Sequence, residues 1–371
     1  MSISGPTSSE KLADSSKPMS FDDTLTANSQ KLSEILDNEE ITTVINELIL
    51  TEGEVSVDLD PVSGKPVVLG QGRFGKVLQG TLLGVEPIAI KCIKGETLHR
   101  GDHADSPSLA RQDSTTSSKT LSRDAVRTTS SLGIMSNDQV LREIALLKSC
   151  HSQYIVSFMG AMFLPREVRL VTELLPAGDL WSALGRGSRS RSVTWYRGGI
   201  FIAMDVAAGL KYLHEKKRVI HLDLKSSNIL LRECHKIDGV GALPPGYEVT
   251  HRAKISDVGL SKMLPLSHEY INDLKAGGTW NWCAPEVILC SKCTPAADMF
   301  SYGVVLWEIC TGEVPFRGRL RDVRVPSECP AEVAALIHAC LDGSEGRLPG
   351  DRPTASQVFQ TLQNLLGNSN T

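Results

Sequence analysis

The 371-residue chain carries 39 Lys and Arg against 43 Asp and Glu, a net charge of −4, with 41% hydrophobic residues. A chain this long can bury a large core, and its near charge balance argues against a nucleic-acid footprint or a polybasic membrane anchor. No stretch approaches the roughly 18 uncharged apolar residues of a membrane span. The nine cysteines are scattered, with CxxC spacing at Cys290 and Cys293 and no second pair to complete a zinc site, so they read as reduced thiols.

The opening residues lack a charged segment followed by an apolar run, and residue 2 is Ser rather than Gly. Neither secretion nor myristoylation is expected, and the reading is a soluble, cytoplasmic protein. Residues 1–27 are rich in Ser, Thr, Asp and Lys and poor in aromatics, which predicts a disordered tail. Over 28–52, Leu32, Ile35, Leu36, Ile41, Val44, Ile45 and Leu48 recur at helical spacing behind a plausible cap at Asn28 or Ser29. This amphipathic extension either packs on the neighbouring domain or meets a regulatory partner; the periodicity does not choose.

Residues 54–59 alternate like a strand. Residues 67–77 then run Val-Val-Leu-Gly-Gln-Gly-Arg-Phe-Gly-Lys-Val, a GxGxxGxV pattern between apolar runs. Glycines at 70, 72 and 75 allow backbone N–H groups to approach phosphate oxygens without an intervening Cβ. The pattern alone is weak, because dinucleotide-binding turns share it. Here the chain continues into a second strand-like run at 85–93 rather than a helix, so a hairpin with a glycine-rich tip fits better. Lys91 alternates with apolar neighbours on that strand. It is either an ordinary exposed lysine or, placed behind such a hairpin, one that reaches phosphates.

Residues 95–137 are rich in Ser and Thr and predict a disordered insertion. The contexts around Ser106 and Ser114 are either phosphorylation sites or plain solvated linker. Order returns near Gln139 in a helix whose Val140, Ile144 and Leu147 share a face, with Glu143 beside it as a natural partner for Lys91. Strands are expected at 154–158 and 168–173, and a long apolar helix over 199–214. That helix leads into residues 219–231, where Asp223, Lys225 and Asn228 fall within six positions between apolar segments. A carboxylate can take a proton from an attacking hydroxyl, a lysine can neutralise a phosphoryl group and an Asn oxygen can ligate Mg²⁺. An ordinary polar turn would look the same in isolation. Residues 234–249, with several Gly and Pro, read as a loop insertion in a hairpin. Asp257 follows on a short strand before Gly259 and would be the second metal-binding group. Helices are expected from Asp298 to about Cys310, over 331–340 and over 355–366.

Taken in order, these motifs resemble the eukaryotic protein kinases over nearly all of a domain spanning 61–366. The set is a Gly-rich hairpin, an Ala-Ile-Lys strand, a helix glutamate, an HxDLKxxN loop, a DxG turn and Ala284-Pro285-Glu286. The resemblance implies an α+β, two-lobed fold with a small β-rich N-lobe and a larger helical C-lobe. It implies that Gly70, Gly72 and Gly75 cover the phosphates of ATP, and that Lys91, paired with Glu143, holds the α- and β-phosphates. Leu69, Val77, Ala89 and Leu230 would sandwich adenine, with Thr172 as gatekeeper and Glu173 and Leu175 in the hinge. Asp223 would be the catalytic base, Lys225 would steady the γ-phosphate, and Asn228 and Asp257 would hold Mg²⁺. Glu286 would pair with Arg352, and Asp298 would brace the catalytic loop.

Lys225 and the run from Gly278 to Glu286 look like Ser/Thr kinases, while Val171-Thr172-Glu173 and Leu306-Trp307-Glu308 look closer to the tyrosine-kinase-like branch. Ser/Thr phosphorylation of intracellular signalling proteins is therefore expected, with a nucleotide-binding scaffold, or pseudokinase, as the alternative. Two departures stand out. Leu222 replaces the arginine that usually clamps an activation-loop phosphate, and Val258 replaces the usual Phe beside Leu147 and His221. Activity independent of activation-loop phosphorylation is expected from the first.

Overall fold

A computed structural model describes residues 48–72, 75–94, 137–164, 167–185, 190–234, 243–264, 268–272, 279–316, 324–341 and 348–368. The expected tail, most of the 28–52 helix, nearly all of the 95–137 insertion and residues 235–242 of the second insertion lie outside them. Residues 1–50 and 51–371 form separate units, and the sheet, the helices and the candidate site all belong to the second.

The first layer is a six-stranded antiparallel sheet. Its strands are β1 (Val55–Val57), β2 (Val68–Gly72), β3 (Gly75–Leu82), β4 (Glu86–Lys94), β5 (Phe158–Leu164) and β6 (Glu167–Glu173). They are ordered β1-β3-β4-β6-β5, and β2 also pairs with β3. β1 lies before residue 61 yet pairs Val55 with Leu82 and Val57 with Gly80, so the sheet reaches back to Val55. The glycine-rich turn closes by pairing Gly72 with Gly75, and a register shift between Val68 and Gly70 leaves Leu69 out of the ladder. Gly75 must be glycine: a Cβ there would stand 1.8 Å from the Cys92 carbonyl oxygen. Helix α1 (Asn137–Ser149) buries Val140, Ile144 and Leu147, the face expected from their spacing.

The second part is mainly helical. It comprises α2 (Leu180–Ala183), α3 (Gly199–Lys211), α4 (Pro285–Ile288), α5 (Ala296–Thr311), α6 (Ala331–Leu341) and α7 (Ala355–Asn368). Asp179 caps α2 by accepting from Ser182 N at 2.8 Å. Helix α3 is buried nearly throughout and runs into a π-helical turn, Tyr212–Lys217, which Arg218 ends in the left-handed region. Helix α5 is also buried on almost every side, which explains its lack of a polar face. Two short ladders finish this part: β7 (Val219–Ile220) with β10 (Lys262–Met263), and β8 (Ile229–Glu233) with β9 (His251–Ile255). One continuous apolar core joins α1 and the sheet to α3, α5 and these ladders. The result is the expected two-lobed arrangement, a β-rich lobe joined to a helical one. Among the described residues no helix is long and apolar enough to cross a membrane.

Candidate active site

The sheet supplies one wall. Lys91 pairs across the ladder with Val77 and Leu170, and Ala89 pairs with Thr172. Side chains alternate along a strand, so Val77, Ala89, Lys91 and Thr172 share one face. Ala89 is buried, whereas Leu69 at the edge is 44% exposed. The chain leaving β6 is stitched to β8: Ala177 N donates to Leu231 O at 3.1 Å and Leu231 N to Gly178 O at 2.8 Å. That pairing sets Leu230 beside the connector that carries buried Leu175. The Glu173 side chain is committed elsewhere, accepting from Lys254 Nζ at 2.5 Å and Ser157 N at 2.6 Å. Burial opposes its charge, but these donors hold its carboxyl below the usual range.

Two charged clusters face this wall. In the first, Lys91 Nζ lies 2.7 Å from Glu143 Oε1 and 2.8 Å from Asp257 Oδ1. The pairing expected from sequence is formed, and one ammonium joins a helix of the upper lobe to the lower one. Burial works against the Lys91 charge, yet Asp257 and Glu143 together push its pKa up. Burial, with the charge of Asp257, raises Glu143; at Asp257 burial also opposes ionisation, but the charge and hydrogen bond of Lys91 with His221 and the Gly259 N–H together lower it. Glu143 Oε2 is buried with no hydrogen-bond partner among the described residues. Asp257 holds φ of 57°, a left-handed backbone that turns the chain just after β9. Gly259 fits the next turn because a Cβ there would press within 3.1 Å of Glu143 Oε2.

In the second cluster, Asp223 Oδ2 accepts from Lys225 Nζ at 2.8 Å and Asp223 Oδ1 from the Thr279 hydroxyl at 2.8 Å. Lys225 also reaches Thr279 Oγ1 at 2.8 Å, closing a triangle. Asn228 Nδ2 donates to the Asp223 carbonyl at 2.9 Å and to Asp223 Oδ2 at 3.2 Å. With its nitrogen end committed to Asp223, the oxygen end of Asn228 is the one available for a cation. An amide oxygen and the Asp257 carboxylate are hard donors of the kind Mg²⁺ takes, and both lie on the turns flanking the β8–β9 hairpin. The donor set fits that ion.

The loop bearing Asp223 is held from below. Asp298 is fully buried on α5 and accepts from His221 N at 2.8 Å, Leu222 N at 2.9 Å and His214 Nε2 at 2.8 Å. Burial opposes its ionisation, but the His214 hydrogen bond and nearby histidines hold its pKa below the usual range. Glu286 and Arg352 form a buried bidentate pair at 2.6 and 3.0 Å, as the sequence suggested. Val258, Leu147 and His221 are each buried, and Val258 and Leu147 belong to the same apolar core.

Two anchors were not anticipated. Glu308, buried in α5, accepts from Ser226 Oγ at 2.8 Å and Trp282 Nε1 at 2.7 Å, tying the loop that bears Asp223 to the segment before α4. Asp205, buried in α3, takes Arg252 at 2.7 and 2.5 Å and Ala253 N at 2.9 Å, fixing the strand that delivers Asp257. Each is an acid buried in a mainly apolar helix, and such a residue must find buried donors. That signal was readable, though it does not name the partner.

The model of the protein tyrosine and serine/threonine kinase family matches residues 111–362. The chain is 31% identical to a probable serine/threonine-protein kinase of Dictyostelium discoideum over 321 residues, 84% of this chain and 29% of that protein. It is 29% identical to serine/threonine-protein kinase CTR1 of Arabidopsis thaliana over 242 residues, 62% of this chain and 27% of that one. It is 36% identical to human serine/threonine-protein kinase TNNI3K over 250 residues, 62% and 27% of the two chains. The chain thus spans less than a third of the length of these three relatives.

Proposed function

This chain belongs to the eukaryotic protein kinases, in their tyrosine-kinase-like branch, and from that premise we propose that it transfers the γ-phosphate of ATP to serine and threonine hydroxyls of proteins. The observation that carries the reading is the Asp223–Lys225–Thr279 triangle, a carboxylate and an ammonium held 2.8 Å apart and both bonded to one hydroxyl. Asp223 would accept the proton of the attacking hydroxyl, while Lys225 would offset charge on the transferring group. Lys91, fixed by Glu143, would grip the α- and β-phosphates under the glycine-rich hairpin at Gly70, Gly72 and Gly75. Leu69, Val77, Ala89 and Leu230 would enclose the adenine beside Thr172, with the backbone of Glu173 and Leu175 along its edge. Asn228 and Asp257 would hold Mg²⁺, which when bound supplies positive charge on the phosphate oxygens.

Protein substrates in signalling and a regulatory partner for the 28–52 segment belong to the same proposal. So does a cytoplasmic setting, which is supported by all nine cysteines being free thiols. The test is phosphate transfer from γ-labelled ATP with Mg²⁺ to a generic Ser/Thr protein substrate. Asp223→Asn is expected to lower the rate by about 10²-fold or more. Equal rates for the two proteins would sink the enzymatic reading and leave a scaffold.

A further inference from the structure

Cys310 and Cys329 sit far along the chain from the catalytic loop, and nothing in the phosphoryl-transfer machinery uses them. Cys310 is in the last turn of α5, and Cys329 lies in a strap of described chain, 324–330, that leads to α6. Their sulfurs are 3.0 Å apart. That is hydrogen-bond contact, and about 1 Å of further approach would bring them to the bond length of a disulfide. Both residues are partly exposed, so a small oxidant can reach them, whereas Cys92, Cys150, Cys283, Cys293 and Cys340 are buried.

The surroundings hold both partners in this register. Tyr196 Oη donates to Glu328 O at 2.7 Å, next to Cys329, and Cys329 N donates to Pro326 O at 3.0 Å. Trp307 Nε1 donates to Arg324 O at 3.1 Å, fastening the start of the strap to the same helix. On the other side Arg191 donates to the carbonyls of Ile309 and Cys310, gripping the end of α5. The thiols share one hydrogen bond, Cys329 Sγ donating to Cys310 Sγ, so whichever loses its proton first is stabilised by the other.

We propose that Cys310 and Cys329 are a reversible oxidation site, a dithiol that hydrogen peroxide converts to an intramolecular disulfide fastening the 324–330 strap to the end of α5. One thiolate of the pair attacks the peroxide oxygen, the O–O bond breaks, and a sulfenic acid forms with release of hydroxide. The other thiol, losing its proton, then attacks the sulfenic sulfur, and hydroxide leaves to be protonated to water. Two thiols are oxidised by two electrons and one peroxide becomes two waters. A cellular thiol reverses the step by exchange.

The test treats the full chain with stoichiometric hydrogen peroxide, followed by intact mass and non-reducing peptide mapping. The expected result is a loss of about 2 Da, restored by dithiothreitol, with one cross-linked peptide joining Cys310 to Cys329. Cys310→Ser is expected to block the cross-link and leave a dimedone-reactive sulfenic acid on Cys329. The oxidised wild type is expected to unfold at a higher Tm, as a loop closed in its native geometry should. Exposed Cys290 is an internal comparison. Oxidation there while Cys310 and Cys329 stay free thiols would overturn the proposal, and so would a cross-link that lowers Tm. The mass readout does not depend on kinase activity, so the proposal and the enzymatic reading can fail separately.

Discussion

Glu308 and Asp298 show how much of the catalytic geometry rests on carboxylates that never meet substrate. Glu308→Gln keeps the volume but offers only one acceptor where Ser226 and Trp282 both donate. An amide N–H then faces one of the two donors, at a cost of about 1–3 kcal/mol. We expect a lower Tm together with a fall in kcat, and Ser226→Ala combined with it should add less than its separate effect. Asp298 predicts a pH dependence. Its folded pKa is lowered, so the folded state binds that proton more weakly than the unfolded chain does. Its contribution is present above the unfolded value of about 3.9 and is lost as pH falls through the folded value. Stability curves of wild type and Asp298→Asn are therefore expected to converge as pH drops below about 4. Parallel curves would exclude this carboxylate as the source. At this scale the sequence named Lys91, Glu143, Asp223, Asn228 and Asp257 from residue type and spacing, and Asp298 through the family resemblance. It could not show that Glu173 turns to Lys254, since that partner is 81 residues away and no local rule links them.

Among elements, the segment after β10 is where Leu222, standing in place of the arginine of the family pattern, would alter control. Leu222 cannot hold a phosphate, and other contacts fasten this segment. Arg218 donates to His268 O at 2.9 Å, Lys292 sits 4.7 Å from the Tyr270 ring centroid, and Ile271 and Cys293 exchange backbone bonds of 2.8 and 3.0 Å. None of these needs a phosphate. Phosphatase-treated protein is expected to keep its activity, and Tyr270→Phe to match wild type. Tyr270→Ala removes the ring under Lys292, worth about 0.5–2 kcal/mol, and should lower kcat. Equal losses in Phe and Ala variants would point to the hydroxyl and so to phosphorylation. The N-terminal strand makes a second prediction. A chain starting at residue 53 keeps β1, while one starting at 59 leaves the Gly80–Leu82 edge unpaired and should melt lower. The helices and most strands were legible from apolar period and length. The strand at the start of the sheet was legible too, since β1 falls inside the alternating run 54–59, but alternation does not name its partner β3, so the domain was expected to start only at 61.

For the whole molecule, the Lys91 ammonium links Glu143 on the upper lobe to Asp257 on the lower one. A nucleotide that draws Lys91 to its phosphates should therefore tighten both lobes at once. Mg-ATP at 100 times its Kd stabilises by about 2.7 kcal/mol, a rise of about 3–5 °C in Tm for a domain of this size. Lys91→Met should lose most of that rise while still folding, which differential scanning fluorimetry would detect. Leu222 carries a wider consequence. Its backbone stands at φ of 66°, a conformation costly for any non-glycine residue, and Asp298 holds it there through two adjacent N–H groups. That strain belongs to the main chain, so an unbranched arginine would inherit it unchanged. Phosphate-dependent switching is in that sense one substitution away, since Leu222→Arg would add the side chain without rebuilding the backbone that carries it.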